Sequence, residues 1–124
     1  MSVGGSLSWR GRYDAALAEA RRSGKDLLLI LVRSRCDVCR ELIRQIGKDP
    51  LTVRLLSRFF VPVIVTTDQR VGYPIELYYV REVPALFQVD ARRELPRGSP
   101  CIGSGCAQTL RESLIRMAGR QREE

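Results

Sequence analysis

Four cysteines are the residues of this sequence best suited to chemistry, and they fall into two pairs. In the first pair, Cys36 and Cys39, two residues separate the sulfurs. At the start of a helix this spacing brings the two sulfurs within bonding reach. The free N–H groups and the positive end of the helix dipole would stabilise a thiolate at Cys36. The pair therefore predicts thiol–disulfide exchange, in which Cys36 attacks and Cys39 resolves the mixed disulfide.

Charged residues surround this first pair. Arg33, Arg35 and Arg40 favour the thiolate form of Cys36, whereas Asp37, between the two cysteines, opposes them. The alternative interpretation is a pair of structural cysteines, or half of a zinc site.

The second pair, Cys101 and Cys106, flanks the glycine-containing turn Ile102-Gly103-Ser104-Gly105. Three interpretations stay open: two unpaired thiols, a structural disulfide if the turn brings the α-carbons within ~7 Å, or a relay or metal role. A zinc site of four sulfurs would require both pairs to converge, and the chain has no histidine to replace one of them. We expect no metal.

The pattern of apolar residues predicts the elements that position these cysteines. The run from Leu27 to Val32 is apolar on both faces, which is typical of a central strand covered on both sides. Trp9 and Tyr13 are interpreted as packing residues for the first helix. The predicted helices are Tyr13–Ser23, Cys36–Lys48, a segment that starts after the cap Asp49 and Pro50, a short one over 75–80, and Ala107–Ala118, which ends near Gly119. The predicted strands are Leu27–Val32, Phe60–Thr66, Ala85–Val89 and an edge strand, Glu94–Ile102, that contains two prolines.

This order of elements predicts an α/β fold: a central mixed β-sheet with helices on both faces. We expect one domain over residues 9–118, with a flexible N-terminal segment, 1–8, and a flexible C-terminal tail, 119–124. A chain of 124 residues is long enough for one hydrophobic core.

Composition excludes several classes of function. The net charge of +7 comes from scattered residues without a basic run, which favours an ordinary charged surface over a nucleic acid partner. The longest apolar run falls far short of the ~20 residues that span a bilayer, so we expect no membrane insertion. The first residues lack the pattern of a secretory signal, which predicts a cytoplasmic protein, or a periplasmic or extracytoplasmic one if the N-terminus has been trimmed. No phosphate-binding or dinucleotide-binding motif occurs, and we expect no cofactor.

Several marks in order resemble the thioredoxin superfamily between about Trp9 and Met117. They are Trp9, Tyr13-Asp14-Ala15-Ala16-Leu17, Gly24-Lys25-Asp26, the strand Leu27–Val32, the Cys36–Cys39 pair and Tyr79-Val80-Arg81-Glu82-Val83-Pro84. The resemblance implies a thioredoxin-like fold in which Pro84 is a cis-proline facing the cysteines and Val83 offers its backbone to an extended substrate. Arg35 is a further candidate for substrate contact. The implied partner is a disulfide-containing or dithiol protein. A second, unidentified redox partner would recharge the Cys36–Cys39 pair. We expect the protein to be a monomer.

The centre departs from the family pattern in two ways. Trp-Cys-Gly-Pro-Cys is replaced by Arg35-Cys36-Asp37-Val38-Cys39, and Ile30 stands where many thioredoxins bury an acidic residue behind the cysteines. No evident carboxylate is left to take the proton of Cys39. Three hypotheses follow: a protein disulfide oxidoreductase, a binding module with a thioredoxin-like fold and little turnover, and a zinc-stabilised or basic nucleic-acid-binding protein.

Overall fold

The computed structural model describes residues 7–68, 73–74, 78 and 80–123. Within these residues the helices are α1 (Tyr13–Ser23), α2 (Asp37–Lys48), α3 (Pro50–Phe59) and α4 (Cys106–Glu123). The strands are β1 (Asp26–Val32), β2 (Phe60–Thr66), β3 (Ala85–Asp90), β4 (Leu95–Pro96) and β5 (Cys101–Ile102). Most of the predicted N-terminal segment, and most of the short helix predicted over 75–80, lie outside the described residues.

The strands form one mixed sheet with β1 in its interior. β2 runs parallel to β1 on one side, with Leu28 opposite Pro62, and β3 runs antiparallel on the other side, with Leu29 opposite Phe87. β4 and β5 both pair with β3 in antiparallel orientation. The predicted α/β fold with a mixed sheet is confirmed.

Alternate residues of β1 point into two separate hydrophobic cores. Leu27, Leu29 and Leu31 belong to the first core, which packs α1 against the sheet. Leu28, Ile30 and Val32 belong to the second core, which packs α2, α3 and α4 against the other face. All six side chains are buried, as the continuous apolar run predicts for a strand covered on both faces.

Local signals in the sequence set several helix ends. α1 stops where Gly24 takes a left-handed conformation, with φ at 69°. Asp49 caps α3 by accepting a hydrogen bond from the Leu51 N–H at 3.2 Å, and Pro50 occupies the first turn, where its missing N–H costs nothing. Both predicted helix ends are confirmed.

The predicted edge strand is wrong as one continuous element. Two short strands, β4 and β5, replace it, because Gly98 takes a positive φ of 72° and the prolines on either side of it cannot donate to a ladder. The turn before it is held by the Asp90 carboxylate, which accepts from the N–H groups of Arg92 and Arg93 at 3.0 and 3.3 Å.

The last helix differs from its prediction at two points. α4 continues through Gly119 to Glu123, because Gly119 does not take the left-handed conformation that ends α1. Residues 119–123 therefore belong to the helix. Ile115, predicted on the buried face, is 42% exposed, whereas its neighbour Leu114 is fully buried, since adjacent positions on a helix are about 100° apart.

The segment before α1 packs differently from the prediction. Tyr13 lies in the first core beneath α1, as expected. Trp9 instead packs against the second core, on the opposite face of the sheet. The reason is that Arg10 joins the sheet beside β2, where it exchanges backbone hydrogen bonds of 3.0 Å with Pro62 and Ile64.

Leu114 and Ile115 form a matched pair for testing the second core. We expect Leu114→Ala to lower the free energy of unfolding by about 2–5 kcal/mol, because it leaves a cavity beneath α4. Ile115→Ala should change it by less than about 1 kcal/mol, since that side chain is half exposed. Urea denaturation followed by circular dichroism measures both, and equal losses would contradict the assigned face of α4.

Asp49 links α3 to α4, and it should make the free energy of unfolding depend on pH in the acidic range. Its carboxylate accepts hydrogen bonds from Thr52 at 2.7 Å and from Arg111 of α4 at 2.8 Å. These bonds, Thr52 foremost, hold the pKa of Asp49 below its usual value. The resulting stabilisation is present above the pKa of the unfolded chain, about 3.9, and is lost as the pH falls through the lower folded pKa.

We expect Asp49→Ala to cost about 1–2 kcal/mol at neutral pH, through loss of the helix cap. Asp49→Asn keeps a capping oxygen but cannot titrate, and it serves as the matched variant. The margin of the wild type over Asp49→Asn in urea denaturation should shrink between pH 5 and pH 2. A margin independent of pH would show that the carboxylate charge does not contribute.

Candidate active site

Cys36 and Cys39 lie at the start of α2, as the sequence predicts. Cys36 is the N-cap residue, and its sulfur accepts a hydrogen bond from the Cys39 N–H at 3.2 Å. A disulfide joins the two residues, with their α-carbons 5.2 Å apart, which is within the usual range for such bonds. Cys36 is half-buried, whereas Cys39 is only 2% exposed. One sulfur of the pair is therefore accessible and the other belongs to the second core.

The helix start favours negative charge on the accessible sulfur. The first N–H groups of α2 have no partners within the helix, and the Cys36 sulfur already accepts one of them. In the reduced protein, the same N–H and the helix dipole would stabilise a thiolate at Cys36. Cys39, packed among apolar side chains, lacks such access to solvent.

The loop between β1 and α2 is held by the end of the neighbouring strand. The Asp68 carboxylate accepts from the N–H of Ser34 at 3.1 Å and from its hydroxyl at 3.2 Å. Thr67 adds hydrogen bonds from its N–H and its hydroxyl to the carbonyl of Val32, at 2.7 and 3.1 Å. The hydrogen bond from the Ser34 backbone holds the pKa of Asp68 below its usual value, so the carboxylate is charged near neutral pH.

Sequence reasoning missed Thr67 and Asp68. The available signal was topological: neighbouring parallel strands have their carboxyl ends at the same edge of the sheet, so the residues after β2 approach the loop after β1. Recognising it required knowing that β2 pairs with β1.

The predicted cluster of arginines is partly neutralised. Arg40 forms an ion pair with Asp37, and Arg33 lies close enough to attract the carboxylate of Asp68. Within the described part of the chain, Arg35 has no ion-pair partner. It is exposed and directly precedes Cys36, with a positive φ of 58°. Arg35 is thus the arginine whose charge is least compensated beside Cys36.

Apolar side chains lie behind the disulfide. Ile30 is fully buried in the second core together with Cys39. Among the residues that the structure describes, no carboxylate is buried, and Thr52 is the one buried polar side chain outside the aromatic residues. The described part of the site therefore offers no buried carboxylate to accept a proton from Cys39.

Val83 and Pro84 lie directly before β3. The peptide bond between them is cis, and Pro84 is buried. Val83 packs against both cores. Cys39 belongs to the second of these cores, and Cys36 packs against it. The carbonyl of Pro84 accepts a hydrogen bond from the Gly103 N–H at 2.9 Å. Because Ala85 pairs with Leu31 near the end of β1, Val83 and Pro84 lie at the same edge of the sheet as the start of the loop that leads to Cys36.

Cys101 and Cys106 are free thiols in this structure, and no disulfide joins them. Cys106 is buried and Cys101 is half-buried, and Cys101 lies close enough to raise the pKa of the Cys106 thiol. Both border the second core. Across the described residues, no three side chains of His, Cys, Asp or Glu are arranged to hold a metal ion. No helix in that part of the chain is long and apolar enough to cross a membrane.

Comparison with known proteins identifies the fold. A thioredoxin from Thermus thermophilus is 23% identical with a TM-score of 0.71, covering 91% of this chain and 88% of that one. The DsbH oxidoreductase is 19% identical with a TM-score of 0.65, covering 90% and 85%. A disulphide isomerase from Xylella fastidiosa Temecula1 is 19% identical with a TM-score of 0.61, covering 85% and 87%. At these identities the likeness shows the fold.

The sequence itself matches a family model. No curated protein matches this chain. The model described as thioredoxin-like matches residues 8–91, a segment that includes the Cys36–Cys39 pair and Val83-Pro84. Because this match spans more than half of the chain, the protein belongs to the thioredoxin-like family and carries a Cys-x-x-Cys centre.

Proposed function

We propose that this protein is a thiol–disulfide oxidoreductase that exchanges disulfides with protein substrates through Cys36 and Cys39. The observation that carries the proposal is the unequal exposure of two disulfide-bonded cysteines at a helix start. Cys36 is accessible to a partner, whereas Cys39 is 2% exposed and can be reached only from within the protein. A structural disulfide without exchange activity does not need one exposed and one buried cysteine.

The reaction follows from this geometry. In the reduced protein the Cys36 thiolate attacks a substrate disulfide, forms a mixed disulfide and expels one substrate thiolate, which takes up a proton. Cys39 then loses its proton to water and attacks the Cys36 sulfur. The second substrate thiolate leaves, and the Cys36–Cys39 disulfide forms. The substrate gains two electrons and two protons, and the protein loses the same number.

Val83, Pro84 and Arg35 are the substrate-binding residues in this proposal. Val83 precedes β3 and offers its backbone to an extended segment of the partner, while the buried Pro84 keeps that backbone beside the second core. The exposed Arg35 favours partners with acidic residues close to their disulfide. The family resemblance supports the assignment of Val83 and Pro84, and the exposure of Arg35 supports its own.

The apolar environment of Ile30 favours a second candidate, a binding module with little turnover. Without a buried carboxylate, deprotonation of Cys39 has no internal base in the described part of the site. The two candidates differ in the second step of the exchange: both allow Cys36 to form a mixed disulfide, but only an oxidoreductase resolves it quickly.

Replacement of the resolving cysteine should trap the intermediate. We expect reduced Cys39→Ser to accumulate a covalent complex with insulin, used as a model disulfide substrate, while the wild type accumulates none because Cys39 resolves it. Cys39→Ala serves as a second variant because position 39 is buried. Non-reducing electrophoresis and peptide mass mapping measure the complex and its bond to Cys36.

The double variant Cys36→Ser/Cys39→Ser keeps Cys101 and Cys106 and controls for their reaction with the substrate. It should form no complex through residue 36. In its presence, dithiothreitol should reduce insulin no faster than without any protein. Trapping at Cys36 combined with a wild-type rate no faster than background would favour the binding module. The oxidoreductase proposal fails if neither trapping nor turnover occurs.

Reversal of the charge at position 35 should slow the first step. We expect Arg35→Glu to reduce the rate of Cys36 alkylation at pH 7 by about 3- to 10-fold, because a carboxylate beside the sulfur disfavours the thiolate. Arg54→Glu, on the exposed side of α3, makes the same change in net charge and should have little effect. Iodoacetamide labelling of the reduced proteins, with mass mapping of the Cys36 peptide, measures the rates. Equal slowing in both variants would remove the specific role of Arg35.

A further inference from the structure

The second pair of thiols takes no part in the exchange through Cys36 and Cys39. Cys101 lies on β5, opposite Leu86 of β3, and Cys106 is the first residue of α4. Four residues separate them, but Cys106 belongs to the second core and Cys101 packs against that core, close enough to Cys106 to raise the pKa of its thiol. The fold thus brings two reduced sulfurs together in a protein whose other two cysteines are oxidised.

The two thiols differ strongly in environment. Cys106 is fully buried, and burial, followed by its hydrogen bond with Cys101, raises the pKa of its thiol to about 12. Burial therefore outweighs the helix start at Cys106, which by itself would favour the thiolate. Cys101 is half-buried, so an incoming reagent can reach it more easily than Cys106. The accessible member of this pair lies on the strand, and the buried member lies on the helix.

The connection between the two cysteines suits closure of a ring. It contains two glycines, Gly103 and Gly105, and Gly103 has a φ of 95° that other residues rarely adopt. Glycine tolerates a wide range of backbone angles, so the loop can adjust to the separation of α-carbons that a disulfide requires. The loop is anchored at the edge of the site, because the Gly103 N–H donates to the Pro84 carbonyl.

We propose that Cys101 and Cys106 form a second oxidisable dithiol, which low-molecular-weight disulfides convert into an intramolecular disulfide. The Cys101 thiolate attacks the reagent disulfide and forms a mixed disulfide, and one reagent thiolate leaves and takes up a proton. Cys106 then attacks the Cys101 sulfur, and its proton passes to the second reagent thiolate as that thiolate leaves. The protein loses two hydrogen atoms, and one reagent disulfide becomes two thiols.

This pair differs from Cys36–Cys39, the exchanging pair of the proposed function, in the reactivity of its second thiol. Cys106 is a poor nucleophile until it is brought against an activated sulfur, so the pair reacts only after Cys101 has been modified. Closing the ring restrains the loop that is hydrogen-bonded to Pro84. Oxidised glutathione, small enough to approach a half-buried thiol, is the probe of choice.

The test uses the variant Cys36→Ser/Cys39→Ala, together with the wild type. The variant, fully reduced and then incubated with oxidised glutathione, should lose two free thiols and gain a Cys101–Cys106 bond in peptide mass maps. The wild type should show the same bond in addition to Cys36–Cys39. Because the variant lacks the first pair, the result does not depend on the proposed exchange activity.

Replacing one thiol of the second pair at a time, in the Cys36→Ser/Cys39→Ala variant, separates the two steps. Cys106→Ala should stop at a glutathione adduct on Cys101 that lasts at least about tenfold longer than in the protein with both thiols, because the intramolecular attack is missing. Cys101→Ser should form no adduct. A stable adduct on Cys101 with Cys106 present, failure of either thiol to react while the protein is folded, or a bond from this pair to Cys36 or Cys39 would each overturn the proposal.

Discussion

The burial of β1 on both faces is the constraint on which the rest of the structure depends. Its six apolar residues alternate between two cores, and neither core can form without the strand. Because β1 also lies between β2 and β3, its carboxyl end is fixed from both sides. The loop that begins there has little freedom, and α2 must start close to the edge of the sheet. The position of Cys36 is thus a consequence of how β1 is packed.

The site itself depends on a balance between charges at the start of α2. Asp37 forms an ion pair with Arg40, and Arg33 attracts the Asp68 carboxylate, so part of the local charge is compensated. Arg35 stands outside these contacts. In the proposed exchange, the helix N-terminus and Arg35 would therefore supply most of the electrostatic support for a thiolate at Cys36.

Much of this arrangement was predictable from local patterns. The two-sided apolar run identified β1, the spacing of cysteines and apolar residues identified α2, and Asp49 with Pro50 identified the start of α3. The failed predictions concern residues whose state depends on distant parts of the chain, or residues whose local signal fits more than one structure. Trp9 follows the pairing of Arg10 with β2, and Gly119 remains helical although glycine often ends a helix. The contacts of Asp68 with Ser34 required the strand order, which no local pattern contains.

The two cysteine pairs also show why a position at a helix start does not by itself define a reactive thiol. Cys36 and Cys106 both lie at the beginning of a helix, where free N–H groups favour an anionic sulfur. Cys36 is partly accessible to solvent and to partners. Cys106 is enclosed by the second core, and the cost of charging a sulfur there raises its pKa to about 12. The same helical feature therefore favours a thiolate at Cys36 and fails to do so at Cys106, and burial decides between them.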